Sequence, residues 1–302
     1  MLWGLWAFYL VKGDQHQGLQ FAERMMQFGT SRQDEGLMLE ADFALGLSHY
    51  YMGRLAQARV HLDRAVATYV PEKHHANCFL SCQDVGVTSR SVASMVRYLQ
   101  GDADGAMEMS RAAIALADAL KHPFSQAYAL GCAAMAARAQ DTMSLSQAQA
   151  LGWWLLWGMI FDGRGKVDAG DPAGGIQQME QALGMYRGVG SGMVVPYFLV
   201  QLAEAYASIG DTTQALAKLA DARQLVAQGG EAMALAEIDR VEGEVRRQRG
   251  EDAERWFTQA LDTARAQGAR LFESRMVEVL EGMEKSSHGA HGGTEDLNFQ
   301  NQ

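Results

Sequence analysis

The sequence predicts an all-α fold: a solenoid of about seven helix pairs closed by a C-terminal capping helix. Three observations carry this expectation. A Gly or Gln followed by a charged residue recurs along the chain at a spacing close to 40 residues. The segments between these marks are rich in Ala, Leu, Gln, Met and Glu, all strong helix formers, and the chain has only 4 prolines. Runs of Val, Ile and Thr that alternate with polar residues, as half-buried strands require, are scarce.

The marks are Gly13-Asp14, Gly53-Arg54, Gly101-Asp102, Gln140-Asp141, Gly170-Asp171, Gly210-Asp211 and Gly250-Glu251. Successive steps are 40, 48, 39, 30, 40 and 40 residues. A fixed period of this size is the signature of an array. Each mark has a local mechanism. Glycine ends a helix in the left-handed conformation without a Cβ clash, and the next residue caps the following helix. Asp171-Pro172 is the clearest case, an N-cap followed by proline at the first helical position.

The segment 1–11 is apolar and holds Trp3, Trp6, Phe8 and Tyr9. It is too short to span a bilayer and lacks a basic leader with a small-residue cleavage site. It reads as a buried helix, with the expectation that a preceding repeat or domain covers it. The helix pairs fall at 2–29, 36–69, 88–119, 122–150, 152–187, 193–228 and 231–267. Residues 270–284 read as the cap, and 285–302, rich in Ser, His and Gly, as a disordered tail. The 48-residue step places an insertion at 71–87. The 30-residue step leaves the second helix of the fourth pair short, beside Trp153, Trp154 and Trp157.

Aligned on the marks, small residues repeat. Gly46, Ser94, Ala133, Gly163, Ala203 and Gly243 lie seven before; Gly18, Ala58, Ala106, Gly175 and Ala215 lie five after. Ala65, Ala113, Ala182 and Ala222 lie twelve after. This ladder resembles the tetratricopeptide repeat, and the resemblance implies a right-handed solenoid with each helix about a turn longer than usual. A second resemblance is carried by longer phrases: Leu2-Trp3-Gly4-Leu5-Trp6, Cys82-Gln83-Asp84-Val85-Gly86-Val87, His122-Pro123-Phe124-Ser125-Gln126-Ala127-Tyr128-Ala129-Leu130, and Pro196-Tyr197-Phe198-Leu199-Val200-Gln201-Leu202-Ala203-Glu204-Ala205-Tyr206. These are similar to the helical-repeat region of large bacterial signalling ATPases, many of which carry an adenylate or guanylate cyclase domain. The resemblance spans most of 2–267 and departs at Val85, where that family usually has proline. It implies a sensory or docking role, with ATPase and cyclase chemistry in upstream domains.

Chemistry of the chain's own is hard to find. The formal net charge of −10 argues against nucleic acid or anionic lipid as a partner. The 3 cysteines imply no disulfide framework and fit a reducing cytoplasm. Gly163-Arg164-Gly165-Lys166-Val167 fails as a phosphate loop, because Val167 stands where a magnesium-binding hydroxyl is needed. Gly188 to Gly192 follows no strand, so it is not a dinucleotide loop. Ser48 and His49 are adjacent, hence about 100° apart on a helix, and His49 reads as an ordinary aromatic position. His74, His75, Cys78 and Cys82 are suitable zinc ligands by type, but their spacing matches no zinc signature. Neither a metal nor any other cofactor is expected. Glu40 with Asp42, and Asp252 with Glu254, read as charges on solvated helix faces.

The expectation is therefore a protein or peptide partner, or a small ligand, held on the first helix of each pair, and no enzyme activity; a metal-dependent enzyme using the 74–84 insertion is the remaining, less favoured alternative. The groove positions implied by the tetratricopeptide resemblance are Glu40, Phe43, Leu47, Tyr50, Tyr51, Thr88, Ser91, Met95, Tyr98, Trp157, Ile160, Arg164, Tyr197, Val200 and Glu204. Gln83 and Asp84 in the insertion are a further contact candidate, or caps of the next helix.

Overall fold

The structure, a computed structural model, describes residues 1–78, 82–136 and 152–291. The described residues are all-helical and contain no strand. The first pair is α1 (Leu2–Lys12) and α2 (Gln15–Arg32); the second is α3 (Glu35–Tyr51) and α4 (Leu55–Thr68). A short α5 (Pro71–His74) and a 3-10 turn (His75–Asn77) follow. Then come α6 (Val85–Leu99), α7 (Ala103–Leu120), α8 (Pro123–Ala136), α9 (Gly152–Asp168) and α10 (Pro172–Gly188). The chain continues with α11 (Val195–Ser208), α12 (Thr212–Gly229), α13 (Leu235–Gln248), α14 (Glu254–Gln267) and α15 (Arg270–His291). The fourth pair's second helix and the Gln140-Asp141 mark lie outside the described residues.

The six described glycine marks all take positive φ, between 72° and 95°. The aspartates after them cap as the residue type requires: Asp14 accepts from Gln17 N–H, Asp102 from Gly105 N–H and Asp211 from Gln214 N–H, each at 3.0 Å. The small-residue ladder sets how closely helices pack within a pair. A Cβ on Gly46 would stand 2.6 Å from the Leu62 side chain, and one on Gly243 2.7 Å from Phe257. Where both helices of a pair are described, they pack on each other and on the neighbouring pair, for example α3 on α4 and on α6, and α11 on α12 and on α13.

Two features differ from the sequence expectation. The last helix runs through His291 rather than ending at 284. A helix already nucleated by packed residues such as Phe272 and Met276 extends at little cost per residue. Residues 292–302 lie outside the described residues. The second difference concerns contacts. A repeat array confines each unit to its neighbours, yet here the early pairs dock on late ones. The Val11 carbonyl accepts from Gly192 N–H (2.8 Å) and Met193 N–H (3.1 Å). The Tyr51 carbonyl accepts from Met233 N–H at 3.0 Å. Gly101 meets the Arg270 side chain. The physical reason is glycine: a Cβ on Gly192 would overlap the Lys12 carbonyl, and one on Gly229 the Gly13 carbonyl. One hydrophobic core consequently runs from Trp6 through Phe43, Trp157 and Phe198 to Phe272.

Gly192→Ala should therefore destabilise the protein by about 1–3 kcal/mol, because the backbones cannot part without losing the Val11 bonds. Gly184→Ala, on an exposed helical position with open space around it, should stabilise by roughly 0.5–1 kcal/mol. Urea denaturation of the two variants checks both signs.

Candidate functional site

The return of the late pairs onto the early ones leaves a half-open cavity of about 510 Å³. Its wall is aromatic: Trp3 and Trp6 from α1, Tyr51 from α3, Phe124 and Tyr128 from α8, and Trp157 from α9. Leu47, Met95 and Met193 fill the intervals, and Gln83, Ser191 and Cys132 supply the few polar atoms. The rings are held in place. Trp6 Nε1 donates to Ser48 Oγ at 3.1 Å, and Trp3 packs against Trp6 and Phe43 at centroid distances of 4.7 and 6.2 Å. Trp157 meets Phe198 edge-on at 5.5 Å. Burial pushes the Cys132 thiol and the Tyr51 and Tyr128 hydroxyls well above their ordinary ranges, so all three are neutral at physiological pH.

The groove residues expected from the sequence divide into two groups. Glu40, Phe43, Leu47, Tyr50, Tyr51, Thr88, Ser91, Met95, Trp157, Ile160 and Val200 are buried, so they face the interior of the array. Leu47, Tyr51, Met95 and Trp157 meet at the cavity. Tyr98, Arg164, Tyr197 and Glu204 are half-buried and stand away from it. Sequence reasoning missed Trp3, Trp6, Phe124 and Tyr128 as cavity residues. All four lie in the longer phrases quoted above, yet their convergence depends on contacts between distant pairs.

Glu40 and Asp42 are corrections. They read as solvated charges, but both are buried. Burial, followed by the nearby Asp84, pushes the Glu40 carboxyl up to about 8. Burial also pushes Asp42 up, but hydrogen bonds from His61 and Arg64 outweigh it and hold that carboxyl below its usual range. The apolar run Leu37-Met38-Leu39 with Ala41, Phe43 and Ala44 makes α3 buried on nearly every side, leaving the two acids no solvent face.

The insertion candidates do not converge as a metal set. His74 Nδ1 accepts from Val70 N–H at 2.9 Å, and His75 Nδ1 lies 2.9 Å from Asp84 Oδ2. Cys78 is buried and Cys82 exposed. Among the described residues no group of three or more His, Cys, Asp or Glu side chains is arranged to hold a metal ion. Asp84 instead organises the insertion. It caps α6 through Val87 N–H (3.1 Å), accepts from Tyr69 Oη (2.8 Å), and its own N–H donates to Ser125 Oγ (3.0 Å). Ser125 Oγ is 2.8 Å from His122 Nδ1 but fully buried, and Ser48 is equally buried, so neither hydroxyl reaches solvent.

A charge ladder joins the late pairs. Arg164 on α9 contacts Glu204 on α11 at 3.4 Å, and Glu204 also pairs with Arg240 on α13. Arg240 holds Glu237 (2.9 Å) and Glu244 (2.7 Å), and Arg275 on α15 reaches Glu237 at 3.5 Å. The i, i+3 and i, i+4 spacing of Glu237, Arg240 and Glu244 was the available signal for it.

No protein-family model matches the chain, and no curated protein matches it. Among the described residues no helix is long and apolar enough to cross a membrane.

Another buried carboxyl, Glu231, stands where the late pairs meet the early ones. Burial pushes it up to about 8, against partial relief from Val194 N–H (2.8 Å) and the Gln15 side chain. Its folded value lies above its unfolded value near 4.5. The protonated form therefore belongs to the folded state, and its stabilisation is complete below pH 4.5 and is lost as pH rises to about 8. Glu231→Gln should match the wild type near pH 4.5 and be more stable by on the order of 1–3 kcal/mol at pH 8.5. Thermal melts across that range read the divergence.

Proposed function

We propose that the chain is a non-catalytic ligand-binding regulatory module, and that the aromatic cavity is its site. The observation that carries this reading is the cavity itself. Its volume falls within the size range of small-molecule sites, and its lining is apolar and aromatic with few polar groups, as such sites usually are. Its walls come from α1, α3, α6, α8 and α9 together with the Val189–Met193 connection. A molecule inside would touch early and late pairs at once, and so would favour the docked arrangement over any looser one. In this reading the array is a right-handed tetratricopeptide-like solenoid of about seven pairs. It serves as the sensory region of a bacterial signalling protein of the ATPase or cyclase type, in the reducing cytoplasm, where free thiols such as those of Cys78, Cys82 and Cys132 persist.

A docking role for a protein partner, the other reading of the repeat, is favoured by a separate feature. Leu5, Phe8 and Phe28 of the first pair are exposed apolar side chains. They would suit the ATPase or cyclase domains that the sequence resemblance places upstream.

Trp3, Trp6 and Trp157 line the cavity, so binding is read directly by intrinsic fluorescence. Titration with a panel of small aromatic and aliphatic compounds should give saturable quenching with a raised melting temperature. Ala7→Phe, which pushes a ring into the cavity from α1, should abolish the response while the circular dichroism spectrum stays helical. A panel that leaves wild-type fluorescence and melting unchanged would overturn the proposal.

A further inference from the structure

We infer that the hollow beside Glu40 is an amine site, which takes the protonated nitrogen of a small ligand whose apolar body lies against Trp3. This rests on the reading of the neighbouring cavity as a ligand site, since Trp3 lines both spaces.

The hollow measures about 730 Å³ and lies between α1, the start of α3 and the α5 segment. Glu40 lines it, with only 8% of its surface exposed, and among the described residues its Oε2 has no hydrogen-bond partner. Buried carboxylate oxygens are normally satisfied, and leaving one bare costs more than pairing it. Asp42, two residues on, shows the ordinary solution: Arg64 and His61 are brought to it. Nothing comparable reaches Glu40 from α1, α5 or α6.

The surroundings select the sign of the ligand. Asp34 and Glu35 line the same hollow. Asp34 is occupied in capping α3 through Leu37 N–H at 2.9 Å, but its charge remains. Asp84, at the start of α6, is close enough to raise the Glu40 carboxyl further. The cation on the walls is Lys73, which is exposed. His74 is turned to Val70 N–H. An anionic group would meet the Asp34 and Glu35 carboxylates, whereas an ammonium would meet these acids, the edge of the Glu40 carboxyl and an indole. Trp3 offers both contact area and cation–π attraction, and its ring is held by Trp6 and Phe43. Leu37 supplies the apolar floor. An amine with an aromatic body fits this combination.

The binding step has a proton balance. At pH 7 the Glu40 carboxyl is mostly protonated in the empty protein, and a bound ammonium favours the carboxylate. The Glu40 proton then passes to solvent as the amine binds.

Calorimetry on the whole chain with tryptamine and with tryptophol, its neutral hydroxyl counterpart, tests this. Wild type at pH 8.5 should bind tryptamine about tenfold more tightly than tryptophol, and Glu40→Gln should bring that ratio close to one. Tryptamine affinity should weaken from pH 8.5 to pH 6 in the wild type but not in Glu40→Gln. At pH 7 its binding heat should depend on the buffer's ionisation enthalpy, as proton release requires. A structural role for Glu40 would move none of these ratios. Equal affinity for the two probes, or an unchanged ratio in a folded Glu40→Gln protein, overturns the amine site and leaves the cavity reading standing. Silence of both probes toward the wild type also overturns it, and the fluorescence panel then decides the cavity reading separately.

Discussion

The contact on which the structure depends is a backbone one: the Val11 carbonyl taking two N–H groups from Gly192 and Met193. A row of helix pairs has no intrinsic reason to bring its first member against its sixth. Here the approach is close enough that a single Cβ at Gly192 or Gly229 would prevent it. The Tyr51–Met233 bond and the Gly101–Arg270 contact continue the same docking along the chain. Because of it the faces that would line an open groove are covered, and the core is continuous from the first pair to the last helix.

Covering those faces has an electrostatic consequence. Side chains that would be solvated on an open groove are carried into the interior. Each buried acid is then resolved differently. Asp42 gains Arg64 and His61, Glu204 and Glu237 gain Arg240, and Glu231 keeps a backbone N–H. Among the described residues Glu40 gains none of these and lines a hollow instead. Burying a charge is tolerated when it is paired and is costly when it is not. The contrast between Asp42 and Glu40, neighbours on one helix, separates an acid that supports the fold from one left available.

Much of the helical array was legible in the sequence because its determinants are local. Gly13-Asp14 and Gly210-Asp211 announce a left-handed residue and a cap, and each element boundary follows within a few residues. Gly46 and Gly243 announce close helix packing in the same way. The candidate site was legible only in part. Leu47, Tyr51, Met95 and Trp157 sit on the first helices of their pairs and were reachable by position in the repeat. Trp3, Trp6, Phe124 and Tyr128 join them through docking between distant pairs, which no periodicity encodes. Glu40 and Asp42 became interior charges through packing among the early elements, Asp42 against His61 and Arg64 of α4 and Glu40 beside α1 and α5.

The charge ladder from Arg164 to Arg275 alternates in sign across α9, α11, α13 and α15, and the docking contacts link fixed pairs across the chain. An open repeat protein changes length easily in evolution, since a unit can be duplicated or lost with only its neighbours affected. Neither event is neutral here. Losing or gaining one pair would slide the Val11 and Tyr51 carbonyls off their partners and place like charges side by side. Side-chain replacement and changes in loop length, by contrast, leave the number of units and these contacts in place.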